Sequence, residues 1–298
     1  MSVRRLFGSD RFQAGVLVAP SVLALAAIAL YPLFAAVLLS FRRVIVVFGE
    51  DRFVGLANYR FLLADPRFRG ALAHTAYFAF VAVSIEFLLA MPIALLLHAS
   101  FRGRGFLRAI VLIPWTIPTV VAARTWAFMF NPDFGLITRL LPHHDVNWLG
   151  MPWYAMHAAI LVDVWKTTPF VALLLLAGLQ GIPEDLYRAA RIDGASRWQT
   201  FRAITLPLLR PAVLLALLFR TLDAFRVFDA VFVLTDGGPA NTTETLSIYA
   251  YKTMMRVGDF GYGSTLAVVT FLCVVLISSG YLVVFGRKRG AQDGAAHA

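Results

Sequence analysis

Charged side chains interrupt the long apolar runs of this sequence, where ionisable residues are rare: Glu86, Arg124, Asp163, Lys166, Arg220, Asp223, Arg226 and Asp229. Each would cost roughly 2.5–3.5 kcal/mol at the centre of a lipid-embedded helix, so we expect each to face a cavity or another charge. Asp163 and Lys166 are three residues apart and can pair on one helix face. From Arg220 to Asp229, charges of alternating sign recur every three residues, and neighbours in this ladder are predicted to neutralise one another.

The helices that carry these charges are long enough to cross a membrane. About 20 helical residues span roughly 30 Å of hydrocarbon, and six apolar runs reach that length, near residues 14–39, 71–97, 106–130, 154–180, 208–234 and 261–285. Pro169 removes one helical hydrogen bond and should kink the fourth run. Glu86 and Arg124 have no partner close in sequence, and we expect them to pair across helices.

Composition supports an integral membrane protein. The chain has 298 residues, of which 59% are hydrophobic and 15% charged, whereas soluble domains average about 25% charged residues. The formal net charge of +10 fits arginines that flank membrane spans better than a nucleic-acid surface, so no nucleic-acid partner is expected. Cys273 is the single cysteine, which excludes a disulfide within the chain.

No pattern in the sequence indicates catalysis. The chain has no G-x-x-x-x-G-K-[ST] phosphate loop, so ATP binding in the P-loop manner is not expected. His143, His144 and Asp145 could conceivably hold a metal, but adjacent histidines do not easily face one ion, and we expect solvated loop residues. We therefore predict a chain that is not an enzyme and holds no cofactor or metal of its own.

A charged insert, PEDLYRAARIDGASRWQTFRAITLPLLRP, separates the fourth and fifth apolar runs. Its helix-capping and helix-ending residues predict two short helices. Gly194 is placed to end the first in a left-handed conformation, and Ser196 with Gln199 forms a capping box for the second. Pro207 and Pro211 should end that second helix, since the residue before a proline avoids helical geometry. We expect the insert to lie at a membrane surface and to present a protruding surface to a partner protein.

The insert resembles the cytoplasmic loop of permease subunits of bacterial ABC importers, which reads E-A-A, three residues, G, nine residues, I-x-L-P. The matching residues are Ala189, Ala190, Gly194, Ile204, Leu206 and Pro207. Arg188 departs from the pattern, because it stands where the family has a glutamate. The stretches FVGLANY, FNPDFGLI and LTDGGPANTTETL are similar to the carbohydrate branch of these permeases. DVWKTTPFVALLLLAGL and ALLFRTLDAFRVFDAVFVL are most similar to permeases of trehalose- and maltose-type importers.

This resemblance implies an all-α membrane protein with six transmembrane helices of the ABC importer permease type. Residues 1–13 would be a cytoplasmic segment, 14–286 the transmembrane domain with a coupling loop at 181–211, and 287–298 a cytoplasmic tail. The implied setting is the bacterial inner membrane and its lipid. The implied partners are a second permease in a heterodimer, two ATPase subunits that bind ATP and Mg, and an external sugar-binding protein.

Both termini are expected in the cytoplasm. With that orientation, 14 basic residues fall in internal segments and nine in external ones, in the direction of the positive-inside rule. The resemblance implies that the coupling helix docks on the ATPase through Glu184, Asp185, Leu186, Tyr187, Arg188, Ala189, Ala190, Asp193, Gly194 and Ala195. Two interpretations of Arg188 stay open: it meets an acid on the ATPase, or it points to solvent and lipid phosphate. In the second, which we favour, Glu184 and Asp185 make the acidic contact.

The intramembrane charges also have two interpretations. They could be internal salt bridges that hold the spans together, or they could form the polar wall of a sugar path, since sugars need polar groups for their hydroxyls and aromatic faces for their C–H surfaces. The candidate path residues are Asp163, Lys166, Thr167, Asp223, Phe225, Arg226 and Asp229. Trp165 and Phe228 could add aromatic faces. The alternative function is an ion-coupled secondary transporter. The six spans and the lack of an evident inverted repeat argue against it.

Overall fold

A computed structural model describes residues 10–140 and 146–295. Its α-helices, numbered in chain order, are α1 Asp10–Leu25, α2 Tyr31–Ser40, α3 Ala57–Ala64, α4 Pro66–His98, α5 Arg104–Thr116, α6 Thr119–Met129, α7 Leu136–Leu140, α8 Pro152–Gln180, α9 Glu184–Ile192, α10 Arg197–Thr200, α11 Leu206–Phe225, α12 Asp229–Thr235, α13 Leu246–Lys252 and α14 Phe260–Ala295. Three π-helical turns occupy Ala26–Leu30, Phe201–Thr205 and Thr253–Val257. Two short strands, β1 Arg42–Ile45 and β2 Glu50–Phe53, form an antiparallel hairpin around a 3₁₀ turn at Val46–Phe48.

Five helical stretches are long and apolar enough to cross a membrane, and they are Val16–Ser40, Pro66–His98, Pro152–Gln180, Arg197–Phe225 and Phe260–Tyr281. Helices α5 and α6 would make a sixth span together, although they meet at an angle of 89°. These stretches follow the order of the six predicted runs, and the predicted all-α fold class is confirmed. The β1–β2 hairpin after the first span was not predicted.

The third predicted run, 106–130, is not one straight helix. Helix α5 ends at Thr116 and Ile117 has extended backbone angles, with φ −72° and ψ 130°. Pro118 explains the break, because a proline ring disfavours helical geometry at the residue before it. The predicted run is therefore present as two helices that together are long and apolar enough for a span, and the signal for the break between them was present in the sequence.

The fifth predicted run is wrong at both ends. Helix α11 stops at Phe225 and the chain resumes helical structure only at Asp229, so the predicted helix over 208–234 is interrupted. At the other end, α10, the π turn and α11 run together through both prolines that were expected to end the helix. The π turn offers a reason: the Leu206 N–H bonds to the carbonyl of Phe201, five residues earlier, which shifts the hydrogen bonding just before Pro207.

Contacts divide the chain into two compact units, Met1–Asp65 with Ala250–Val269 and Pro66–Tyr249 with Thr270–Ala298. In the first unit, Asn58 Nδ2 donates to the carbonyls of Ser40 and Arg42, each at 2.9 Å. The start of α14 packs closely on the hairpin, since a Cβ at Gly261 would lie 2.2 Å from the carbonyl oxygen of Arg42. The Tyr262 hydroxyl donates to Asp65 at 2.6 Å. These contacts hold the hairpin and α3 against the first turns of α14.

In the second unit, α4 and α8 pack along each other, and α11 packs against both. Two apolar clusters fill this bundle. One is centred on Phe78, Phe130 and Ile160, and the other on Leu97, Leu175 and Leu209. Helix α8 stays helical through Pro169, and whether it bends there remains a prediction. The bundle brings charged residues of α4, α8 and α11 to one level.

Candidate functional site

The guanidinium of Arg220, on α11, is the centre of an ion cluster. Its Nε and Nη2 donate to the two carboxylate oxygens of Glu86 at 2.5 and 2.7 Å. Nη2 also donates to Asp163, and Nη1 donates to Asp223 at 2.8 Å. The Arg220 and Glu86 side chains are only 1% and 0% exposed, so the pair that joins α11 to α4 is shielded from water, and Asp163 joins α8 to the same guanidinium. Breaking such a buried pair is strongly destabilising, because it leaves a charge uncompensated.

Thr167 completes the cluster from α8. Its hydroxyl lies 2.7 Å from Glu86 Oε1 and 2.6 Å from the Asp163 carbonyl, where it can donate to one or the other. Asp223 differs from the other two carboxylates, because its side chain is 65% exposed while one oxygen stays bound to Arg220. The cluster therefore has a buried side that holds helices together and an open side that reaches a cavity.

The ion pairs predicted from spacing are mostly not the ones that form. Of the alternating ladder, only Arg220 with Asp223 pairs, and among the described residues no ion pair joins Arg226 to Asp223 or to Asp229. Arg226 instead donates to the Leu222 carbonyl at 3.3 Å. The ladder was wrong because α11 ends before Arg226, which removes the helical spacing on which the prediction rested.

Two further expected pairs are replaced. Asp163 pairs with Arg220 across helices rather than with Lys166, whose Nζ donates to the Trp115 carbonyl at 3.4 Å. Glu86 pairs with Arg220 and not with Arg124, which is exposed on α6. Tertiary packing places the buried Arg220 guanidinium within reach of both carboxylates, and sequence spacing carries no information about that placement.

A cavity of about 240 Å³ opens at this level of the second unit. Its lining residues are Trp115, Thr119, Asp163, Lys166, Thr167, Asp223, Arg226, Val227, Phe228, Asp229 and Ala230. Six of the seven candidate path residues are among them. The seventh, Phe225, is buried and does not line the cavity. Trp165 packs edge to face on Trp126 with ring centroids 5.4 Å apart and is not part of the lining.

Sequence reasoning missed Trp115, Thr119 and the backbone around Val227 as cavity residues. The first two flank the break between α5 and α6, and Trp115 stacks on Phe170 with ring centroids 5.6 Å apart. Val227 lies in the break between α11 and α12. Non-helical backbone at membrane depth is tolerated where it lines a cavity or is buried in protein, so both breaks belong to the construction of this cavity.

The charged insert forms the two helices that its capping and helix-ending residues predicted. Gly194 has φ +74°, the left-handed conformation expected after α9. The Ser196 hydroxyl accepts from the Gln199 N–H and the Gln199 side chain accepts from the Ser196 N–H, which confirms the capping box. The Tyr187 hydroxyl lies 3.2 Å from Thr205 Oγ1, and Ala190 is buried. These two contacts fix α9 on the bundle side.

The rest of α9 faces outward. Among its predicted docking residues, Glu184, Asp185, Leu186, Arg188, Ala189, Asp193 and Gly194 are exposed, and Ala195 is half-buried. Arg188 pairs with its own helix neighbours, Glu184 at 3.1 Å and Asp185 at 3.5 Å. Neither interpretation of Arg188 included this pairing, which follows from i,i+3 and i,i+4 spacing. The exposed surface of α9 thus combines two cations, Arg188 and Arg191, with the two anions Glu184 and Asp185.

Over residues 10–140 and 146–295, no group of three or more His, Cys, Asp or Glu side chains could hold a metal ion. His143, His144 and Asp145, the conceivable metal ligands, lie outside the described residues.

Comparisons with known proteins agree with this architecture. The chain is 48% identical over 261 residues to the trehalose/maltose transport system permease protein MalF of Thermococcus litoralis, covering 87% of this chain and 88% of that protein. It is 42% identical over 279 residues to the trehalose transport system permease protein SugA of Mycobacterium tuberculosis, covering 93% and 90%.

A solved bacterial alginate ABC transporter, in complex with an alginate pentasaccharide-bound periplasmic protein, has a chain of the same fold. The TM-score is 0.80 at 19% identity, covering 91% of this chain and 92% of that one. The model of the family described as binding-protein-dependent transport system inner membrane component matches residues 86–290. With that match over more than half of its length, the chain belongs to the family of inner membrane components of binding-protein-dependent transport systems.

Proposed function

We propose that this chain is the permease subunit of an ATP-driven ABC importer that carries a sugar of the trehalose or maltose kind into the cytoplasm. The observation that carries the proposal is the 48% identity to MalF over 87% of the chain. SugA, a trehalose permease by its name, is similar over 93% of the chain. A sequence likeness that is spread over nearly the whole chain includes the stretches that form the cavity.

The chemistry of the cavity suits a neutral, hydroxylated solute. Carboxylates of Asp223 and Asp229 can accept hydrogen bonds, Lys166 and Arg226 can donate them, and the rings of Trp115 and Phe228 offer apolar faces. At about 240 Å³, the cavity is somewhat smaller than the roughly 300–1,000 Å³ of typical ligand pockets. A second permease in a heterodimer would supply the remaining wall of the path.

The α9–α10 segment is the proposed ATPase-docking element. The partner ATPase subunits would bind ATP and Mg, and this chain would hold neither. Ala190 and Tyr187 hold this short exposed helix against the bundle, and Tyr187 packs with the apolar cluster that includes Leu175 and Leu209. A displacement of the helix by the ATPase can therefore be passed on to the bundle. The proposed setting is the bacterial inner membrane, with both termini cytoplasmic and a binding protein that delivers sugar from outside.

Uptake by the reconstituted complex tests the proposal. The chain is purified together with the permease, ATPase and binding protein encoded beside it, and the complex is reconstituted in liposomes. ATP is supplied inside the liposomes in one arrangement and outside them in the other. We expect ATP-dependent uptake of radiolabelled trehalose or maltose that requires the binding protein, and none when the P-loop lysine of the ATPase is replaced. Uptake driven by an ion gradient without ATP would instead support the secondary transporter, and failure to carry either disaccharide would overturn the proposed substrate.

A further inference from the structure

A second ion pair, between a buried carboxylate and a partly exposed guanidinium, lies in the same unit as the cavity but does not line it. Arg67, at the start of α4, donates through Nε and Nη2 to both carboxylate oxygens of Glu244, at 2.7 and 2.8 Å. The Glu244 side chain is 1% exposed, and the Arg67 guanidinium lies 4.5 Å from the centroid of the Tyr249 ring. A bidentate pair of this kind holds its two segments in one orientation, because two parallel hydrogen bonds restrict rotation as well as distance.

The residues next to Glu244 are tied to α4 as well. The Leu246 N–H donates to the buried hydroxyl of Thr75 at 2.9 Å, and the Glu244 carbonyl lies 3.2 Å from Nδ1 of His74. Glu244 and Leu246 are therefore both anchored to α4, on either side of Thr245.

Thr245 is held, and its partner is the cavity wall. Its hydroxyl donates to the Val227 carbonyl at 3.2 Å, and its side chain is fully buried. Val227 lies in the break between α11 and α12 and is one of the residues that line the cavity. A carbonyl in such a break lacks its helical N–H partner and needs a hydrogen bond from elsewhere. Thr245 satisfies it.

We propose that Arg67 and Glu244 are positioning residues that hold the non-helical wall of the cavity, residues 226–228, in place through Thr245. The proposal rests on the proposed function for its consequence in transport, but its geometry stands on the contacts alone. Loosening the pair lets the Val227 backbone move, so the groups that face the solute lose their alignment while the ion cluster around Arg220 stays intact. The apparent affinity for sugar should therefore fall more than assembly or ATP hydrolysis does.

Four variants separate positioning from general stability. Glu244→Gln weakens the anchor and leaves Thr245 unchanged, Thr245→Val removes the hydroxyl, and Thr245→Ser keeps it. The matched control is Asp65→Asn, which weakens the buried hydrogen bond from Tyr262 in the other unit. Each is made in the full complex, in a background with Cys273→Ser and Val227→Cys, so that the wall carries a single reactive thiol.

The rate at which a maleimide labels Val227→Cys is the first measurement, and it needs no assumption about the solute. Loss of one hydrogen bond corresponds to about a fivefold change in the opening equilibrium, so we expect labelling to be about fivefold faster with Glu244→Gln or Thr245→Val. Thr245→Ser and Asp65→Asn should label at the parental rate. Unchanged labelling in the first two variants, or equal acceleration by Asp65→Asn, would overturn the proposal.

The KM and kcat of trehalose or maltose uptake, with Val227 intact, are the second measurement. We expect Glu244→Gln and Thr245→Val to raise KM about fivefold with kcat nearly unchanged, and Thr245→Ser to restore the parental KM. A fall in melting temperature with unchanged KM would reduce the pair to a structural contact and overturn its positioning role. If the parental complex carries neither sugar, the proposed function fails, while the labelling result still decides the positioning role.

Discussion

Arg220 donates two hydrogen bonds to Glu86, at 2.5 and 2.7 Å, across 134 residues of sequence. Removing one member of a buried pair costs about 3–5 kcal/mol, because the remaining charge is left uncompensated. We expect Arg220→Met, which leaves Glu86 and Asp163 without their shared cation, to lower the melting temperature of the purified complex more than Glu86→Gln, which keeps an oxygen acceptor. The exposed Arg191→Gln is the control. Equal melting temperatures for Arg220→Met and the control would show that the cluster does not stabilise the bundle.

Asp223 has one oxygen on Arg220 and the rest of its side chain in the cavity. We expect Asp223→Asn to slow sugar uptake without loss of assembly, because the amide keeps the shape but loses the charge that Arg220 and a sugar hydroxyl would share. Adding Arg226→Gln should not restore uptake, since no ion pair joins Arg226 to Asp223 in the described structure. Uptake by both variants is compared with Asp51→Asn, which breaks the exposed pair with Arg42. Restoration by the double change would mean that the two charges pair during transport.

Gly194 is in a left-handed conformation with open space around it. A Cβ there meets no atom of this chain within 4 Å, so the expected cost of Gly194→Ala is the backbone penalty of about 1–2 kcal/mol. Asparagine adopts this conformation more readily, and we expect Gly194→Asn to keep sugar uptake coupled to ATP hydrolysis better than Gly194→Ala or Gly194→Val. The measurement is the ratio of sugar transported to ATP hydrolysed. If asparagine is as harmful as valine, the limit is space in the docking cleft and not the backbone.

Arg188 already has two partners on its own helix, so we do not expect it to be the residue that contacts the ATPase. Arg188→Gln should leave coupled uptake nearly unchanged, whereas Glu184→Gln combined with Asp185→Asn should lower it by up to about fivefold, the scale of an exposed ion pair. The exposed Arg191→Gln on the same helix is the matched control. The opposite pattern, with uncoupling by Arg188→Glu and no effect of the double neutralisation, would identify Arg188 as the docking residue.

The orientation of the chain can be read from two exposed positions. In a Cys273→Ser background, Arg191→Cys lies in the predicted cytoplasmic insert and Asp133→Cys in the predicted second external loop. We expect a membrane-impermeant maleimide to label Asp133→Cys in intact cells and Arg191→Cys only after the membrane is opened. Labelling of both from outside would reject the orientation with cytoplasmic termini.

Part of this structure could be predicted from the sequence, because it depends on interactions between residues that are close along the chain. The six apolar runs, the left-handed Gly194 and the capping box of Ser196 and Gln199 depend on residues within a few positions of one another, and their hydrogen bonds close inside one turn or one helix. The break after Thr116 was also readable, because Pro118 acts on its immediate neighbour. Trp115 could have been placed near an irregular segment on that ground.

Tertiary structure decided which charges on different helices meet. Spacing pointed to Asp163 with Lys166 and to a ladder from Arg220 to Asp229, yet Arg220 binds carboxylates from three helices and the ladder ends where α11 does. No proline or glycine marks that second break, and the Val227 carbonyl is satisfied by Thr245, 18 residues further along the chain. A buried charge or a freed carbonyl takes the partner that packing brings within hydrogen-bond reach, and that partner is fixed by the arrangement of the helices rather than by distance along the sequence.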